Sequence, residues 1–238
     1  MSLLDVQGLE TGYGRLPVLH EVSLRVEPNE LVAVVGPNGA GKTSLVKAIF
    51  GLLPAMKGSI TFDGQDITDA KTLLHSRLGL AMVPQTGSTF PDLTVEDNLV
   101  ASFSALEKPA AEAALSAAYE MFPQLDERRR QSAKTLSGGE RQMLAFVSGV
   151  GSNPRLLVLD EPTTGLAPTI VHALVEKIVG SRERGASILW VIEENPLEVL
   201  PVVDRVYVLN NGSIQAEMSA VDLLSDDSLH RMFFGTEA

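Results

Sequence analysis

Short apolar runs separated by turn residues recur along this 238-residue chain. Val22–Val26, Leu31–Val35, Leu78–Val83, Leu156–Leu159, Ile188–Ile192 and Val206–Leu209 have the length and composition that predict strands. Lys42–Phe50, Ala110–Met121, Gly139–Gly149 and Ile170–Arg184 predict helices between them. Strands that alternate with helices need crossover connections, so the sheet they form is expected to be largely parallel. The opening stretch, up to about Glu30, is rich in strand signals and poor in helix, and predicts a smaller antiparallel layer. From about Gly87 to Ala133 the pattern is mostly helical: "AAEAALSAAYEMF" is full of strong helix formers, and "DERRRQ" closes it with charge. The expected fold class is therefore α/β. Its core would take residues 1–86 and 154–238 and carry the antiparallel β layer, with a helical subdomain inserted at 87–153.

Composition narrows the classes of function. Hydrophobic residues make up 45% of the chain, enough for a real core, yet no apolar run approaches the roughly 18 residues that span a bilayer. The start, "MSLLDVQGLE", has neither the basic nor the long apolar region of a secretory signal. With no cysteine there is no disulfide framework and no thiolate metal site, which suits a reducing cytosol. A formal net charge of −11 argues against a nucleic-acid-coating surface, which would need lysine and arginine to neutralise phosphates. It leaves open the binding of a single nucleotide, for which a local cradle is enough.

Such a cradle is written in "VAVVGPNGAGKTSL". Gly36, Gly41, Lys42 and Thr43 satisfy G-x-x-x-x-G-K-[ST], with Pro37, Asn38, Gly39 and Ala40 inside the loop and Ser44 just after it. An apolar strand precedes the motif and a helical pattern follows. Glycines let the backbone curl so that successive N–H groups point inward, and the helix start adds its dipole. Lys42 would reach the β- and γ-phosphates, and the Thr43 hydroxyl would ligate Mg²⁺. A second acidic signal lies in "PRLLVLDEPTTGL", where an apolar run ends in Asp160 and Glu161. Ligands of open parallel sheets sit at the carboxyl ends of strands. Asp160 would approach the same Mg²⁺, and Glu161 would orient or deprotonate an attacking water.

In "TLSGGERQMLAF", Ser137 and Glu140 bracket Gly138 and Gly139 at the start of a helical pattern. Taken alone, this is either a well-capped helix or a second phosphate-binding helix start. The segment resembles the signature of ATP-binding-cassette (ABC) ATPases, usually L-S-G-G-Q, with Glu140 in the Gln position. The resemblance implies that Ser137, Gly138, Gly139 and Glu140 contact ATP held on a partner's P-loop, so that two ATPase subunits, copies or paralogues, close head to tail around two nucleotides. It also implies that Tyr13 stacks on adenine, whereas by itself it reads as an ordinary strand tyrosine. Gln85 matches the glutamine that touches Mg²⁺ and the attacking water. Two Walker motifs, a signature and a Gln loop fall in the expected order over roughly Leu3 to Gly235.

Within that family, "GLAP", "FPQLDERRRQ", "LSGGERQML" and "EENP" look like the second ATPase subunit of branched-chain amino acid importers, the LivF type. Two positions depart from the pattern: Gln85 stands where that subgroup usually has Glu, and Ala167 where many ABC ATPases have an Asp. The implied role is ATP hydrolysis that drives transmembrane permease subunits, with a solute-binding protein involved only indirectly and no nucleic acid. The implied place is the cytoplasm, peripheral on the inner face of the cell membrane. The helix-rich insertion would carry the docking groove for the permease. Alternatives are a lipid or lipopolysaccharide exporter's ATPase and a degenerate regulatory subunit; soluble ABC ATPases of DNA repair or translation need longer chains. Glu194, in "LWVIEENPLEV", occupies the place of a γ-phosphate-contacting histidine. An ionised carboxylate cannot donate there, so Glu194 would be protonated, turned away, a mark of a slow half-site, or merely a solvated strand end.

Overall fold

The computed structural model describes residues 2–85, 89–193 and 196–225. Its strands are β1 (Leu4–Tyr13), β2 (Leu16–Val26), β3 (Leu31–Val35), β4 (Ala55–Phe62), β5 (Gln65–Asp66), β6 (Leu80–Val83), β7 (Leu156–Asp160), β8 (Ser187–Ile192), β9 (Arg205–Asn210) and β10 (Ser213–Ser219). Its α-helices are α1 (Lys42–Ile49), α2 (Thr72–Leu78), α3 (Val95–Ser102), α4 (Lys108–Met121), α5 (Pro123–Glu127), α6 (Gly138–Val150), α7 (Pro168–Glu183), α8 (Pro196–Val199) and α9 (Ala220–Ser225).

Two sheets result. One is four-stranded with order β2-β1-β4-β5 and antiparallel pairing throughout. The other is six-stranded with order β10-β9-β3-β8-β7-β6; all neighbours in it are parallel except the β9–β10 pair. The fold is thus the expected α/β architecture with an antiparallel layer, but that layer is not confined to the opening stretch. Strand β4, which follows α1, lies at its centre beside β1. Its sequence signal is weak because only Ile60 and Phe62 of its residues are buried. Gly58 adds a bulge: its φ is 83°, and a side chain there would collide with the carbonyls of Gln7 and Gly8. A second difference concerns Leu78, expected in a strand. It ends α2, Gly79 closes that helix in the left-handed region with φ 91°, and β6 starts one residue later.

The parallel strands are buried on both faces, which is why they read as continuous apolar runs. In β3, Leu31, Ala33 and Val35 join a core with Leu144 and Val147 of α6 and Leu174 and Ile178 of α7. Val32 and Val34 face the opposite core, with Leu45 and Ile49 of α1 and Val6, Leu24 and Phe62 of the antiparallel sheet. Each fully buried Leu or Ile contributes about 1.5–3 kcal/mol, so both faces hold the sheet, and its strand ends, in one register.

Between β6 and β7 the chain runs through α3, α4, α5 and α6, and its only pairing among the described residues is an isolated bridge from Thr94 to Ser132. The approach to α3 is tightly held. Thr94 caps the helix by accepting from the Asp97 N–H at 3.0 Å. The buried Asn98 accepts from the Phe90 N–H at 2.7 Å and donates to the carbonyls of Phe90 and Thr94 at 3.0 and 2.8 Å.

Candidate active site

Strands β3, β8, β7 and β6 are successive neighbours, so their carboxyl ends form a row. Chain order hides this: β8 is the last of the four in sequence order but sits between β3 and β7. Beyond these ends lie the Gly36–Gly41 loop, Glu193, Asp160 with Glu161, and Gln85. A cleft of about 240 Å³ opens there, lined by Val18, Asn38, Gly39, Gly41, Lys42, Thr43, Ser44, Gln85, Glu161 and Glu193.

The loop owes its shape to two glycines and a brace. Gly39 and Gly41 have φ of 79° and 106°, which L side chains adopt only with strain. The Ala40 N–H donates to the Pro37 carbonyl at 3.1 Å, closing a turn. The brace is the β9–β10 hairpin, whose Asn211–Gly212 turn has φ of 45° and 76°, as a type I′ turn requires. The Gly212 N–H donates to the Ala40 carbonyl at 3.0 Å. After the loop, α1 starts with no side-chain cap and no acid in its first turn. Its free N–H groups and positive dipole end are therefore unspent beside a cleft lined by Gly41, Lys42 and Thr43.

Lys42, only 4% exposed, donates to the carbonyls of Gly36 and Pro37 at 2.9 and 3.2 Å. Its ammonium also stands 3.5 Å from carboxylate oxygens of both Glu161 and Glu193. The Thr43 hydroxyl donates to Asp160 Oδ1 at 3.4 Å. Asp160 is buried, and burial raises its pKa against the opposing pull of Thr43 and Lys42. Glu161 occupies the left-handed region with φ 52°, and its N–H donates to the Val191 carbonyl at 3.1 Å. Gln85 Nε2 donates to Glu161 Oε2 at 2.7 Å. Burial first, and then a hydrogen bond with Glu193, push the Glu161 pKa up to about 7, while Lys42 opposes the rise. Oxygen donors of Thr43 and Asp160, side by side, are the hard ligand set that a divalent cation such as Mg²⁺ takes together with phosphate oxygens and water.

A phosphate-binding loop, a buried lysine, a Thr–Asp pair and a second acid with a raised pKa make a nucleotide-hydrolysing site. Residues 19–164 match the ABC transporter family. The chain belongs to the ABC transporter ATPases. Among its relatives are the high-affinity branched-chain amino acid transport ATP-binding protein BraG of Pseudomonas aeruginosa, 36% identical over 98% of this chain and 100% of that one. The probable branched-chain amino acid transport ATP-binding protein LivF of Archaeoglobus fulgidus is 34% identical over 98% and 99%. The lipopolysaccharide export ATP-binding protein LptB of Haemophilus influenzae is 31% identical over 100% and 99%. Among solved structures, a nucleotide-free ATP-binding cassette from an ABC transporter superposes with a TM-score of 0.84 at 26% identity, covering 99% of this chain and all of that one.

Other expected site residues of this ABC ATPase lie apart from the cleft. Ser137, Gly138, Gly139 and Glu140 open α6, and none of them lines it. Ser137 Oγ accepts from the Glu140 N–H at 3.2 Å while Glu140 Oε2 accepts from the Ser137 N–H at 2.8 Å, a reciprocal capping box. That backbone hydrogen bond lowers the Glu140 pKa, helped by Arg128 at 2.9 Å. Gly139 is a packing glycine, since a Cβ there would lie 2.5 Å from Ile170 Cδ1 of α7, whereas Gly138 faces open space. Tyr13 ends β1 half exposed, with Lys47 Nζ 3.4 Å from its hydroxyl and 5.8 Å from its ring centre. A hydrogen bond from Ser44 chiefly lowers the tyrosine pKa. Glu194 lies outside the described residues. The residue that reading motifs alone left out is Glu193; its signal was the same as that of Asp160, an acid closing an apolar strand, but only sheet order brings it to Lys42.

Proposed function

We propose that this chain is the cytoplasmic ATPase subunit of an importer for branched-chain amino acids or related small polar solutes. The observation that carries the proposal is near-full-length similarity to relatives that bear that transport function in their names, joined to a cleft with the groups hydrolysis needs. Lys42 and the free N–H groups of α1 would hold the phosphates. Thr43 and Asp160, with Gln85 nearby, would hold Mg²⁺, which when bound neutralises phosphate charge. Glu161 would take a proton from the attacking water, held in place by Gln85 on one oxygen and Lys42 on the other. Tyr13, exposed at the edge of the loop, would stack on the base.

The Ser137–Glu140 helix start would serve the cleft of a second ATPase subunit, since it lines none of this chain's own. Permease helices would dock beside α3, where Phe90 and Val100 are 59% and 54% exposed and Asn98 holds the Phe90 backbone rigid. The helices and loops from 87 to 153 would then move as the subdomain that links docking to ATP. A solute-binding protein would act on the outer side, without contact to this chain.

The test is to purify the complex with its membrane subunits, count distinct ATPase chains and reconstitute it in vesicles. ATPase activity stimulated by leucine-loaded binding protein is expected, together with an ATP-bound dimer for Glu161→Gln on size-exclusion chromatography. Copurification with lipopolysaccharide-handling membrane subunits would favour the export reading instead, for which LptB relatives are the supporting observation.

A further inference from the structure

Lys42 is crowded. Its ammonium has three protons but four oxygens within 3.5 Å: the carbonyls of Gly36 and Pro37, Glu161 Oε1 and Glu193 Oε2. A phosphate that Lys42 is to hold must displace one of them. The two carbonyls belong to the loop backbone and move only with the loop. Glu161 is tied down by Gln85 on its other oxygen and by its own N–H to Val191. Glu193 closes β8, the strand between β3 and β7, and its side chain is 17% exposed against 4% for Glu161. It is the partner with room to yield.

We propose that Glu193 is a positioning residue that sets the affinity of the cleft for nucleotide, by competing with phosphate for Lys42. This rests on reading the cleft as the ATP site. Two effects of its charge act in the same direction. The carboxylate draws on the ammonium that phosphate needs, and it repels phosphate directly. The consequence is a subunit that releases nucleotide readily, with the charge of Glu193 as the determinant.

Equilibrium binding of ATP to the full chain, and KM and kcat in the assembled transporter, test this on Glu193→Gln and Glu193→Asp. Removing the charge but keeping the shape should tighten ATP binding and lower KM by about tenfold with kcat changed less than about twofold, the mark of a uniform binding change. Glu193→Asp keeps the charge but draws it one methylene back from Lys42, and should fall between wild type and Glu193→Gln in both. Glu193→Ser replaces Glu193→Gln if the latter shows altered circular dichroism. Unchanged or weaker ATP binding on loss of charge would overturn the proposal, as would Asp behaving like Gln. A wild-type chain that bound no ATP would instead overturn the nucleotide reading of the cleft itself.

Discussion

Two helices of this chain have glycine at or beside their starts, α1 with Gly41 as its N-cap and α6 with Gly138 as its first residue, and they finish their N-termini in opposite ways. Helix α1 leaves its first turn uncapped and free of acids, under a loop braced from behind by the β9–β10 hairpin. Helix α6 satisfies its own first turn, with Ser137 and Glu140 exchanging hydrogen bonds and Arg128 balancing the carboxylate. An unsatisfied helix start is a standing anion site, whereas a reciprocally capped one is already near its lowest energy. The difference teaches which of the two helix starts is built to receive an anion. In α6 the Ser137 oxygen is spent on the Glu140 N–H, so only its hydroxyl proton is left to offer an anion.

The largest break in this comparison is Lys42→Ala. It removes the cation of the α1 site, and turnover in the assembled transporter should fall at least about a hundredfold; near-normal turnover would remove α1 as the phosphate site. The next effect is on pH. A base must be deprotonated, and the folded pKa of Glu161 lies above the ordinary carboxylate range at about 7. The sign follows: kcat/KM should rise through neutrality and fall about tenfold per pH unit on the acid side. A rate profile flat from pH 5.5 to 8 (roughly the window around that pKa) would mean another group sets the base. The smallest effect belongs to α6. Ser137→Ala should cost about 1 kcal/mol in urea denaturation while leaving ATP binding by the isolated chain unchanged. Lost binding there would show that the helix start serves its own cleft.

Much of this was legible in the chain. Strand β3 and its loop and the Asp160–Glu161 strand end each carry their chemistry within a few residues, because phosphate loops and strand ends are built from consecutive backbone. Strand β4 was not legible. Its pairing with β1 is long-range, only two of its residues are buried, and Gly58 interrupts the alternation that would betray a strand. Leu78 went astray for a local reason: Gly79 ended a helix where the apolar run suggested a strand already under way.

By itself, then, the sequence determined the motif chemistry: which loop has the phosphate-loop pattern, which acids end strands, and which segment caps a helix. Only the tertiary structure decided neighbourhood. Placing β8 between β3 and β7 brings Glu193 against Lys42 and Glu161 although 151 residues separate Glu193 from the lysine. Sheet order is set by the packing of both faces against helices far apart in the chain, and no local pattern encodes it.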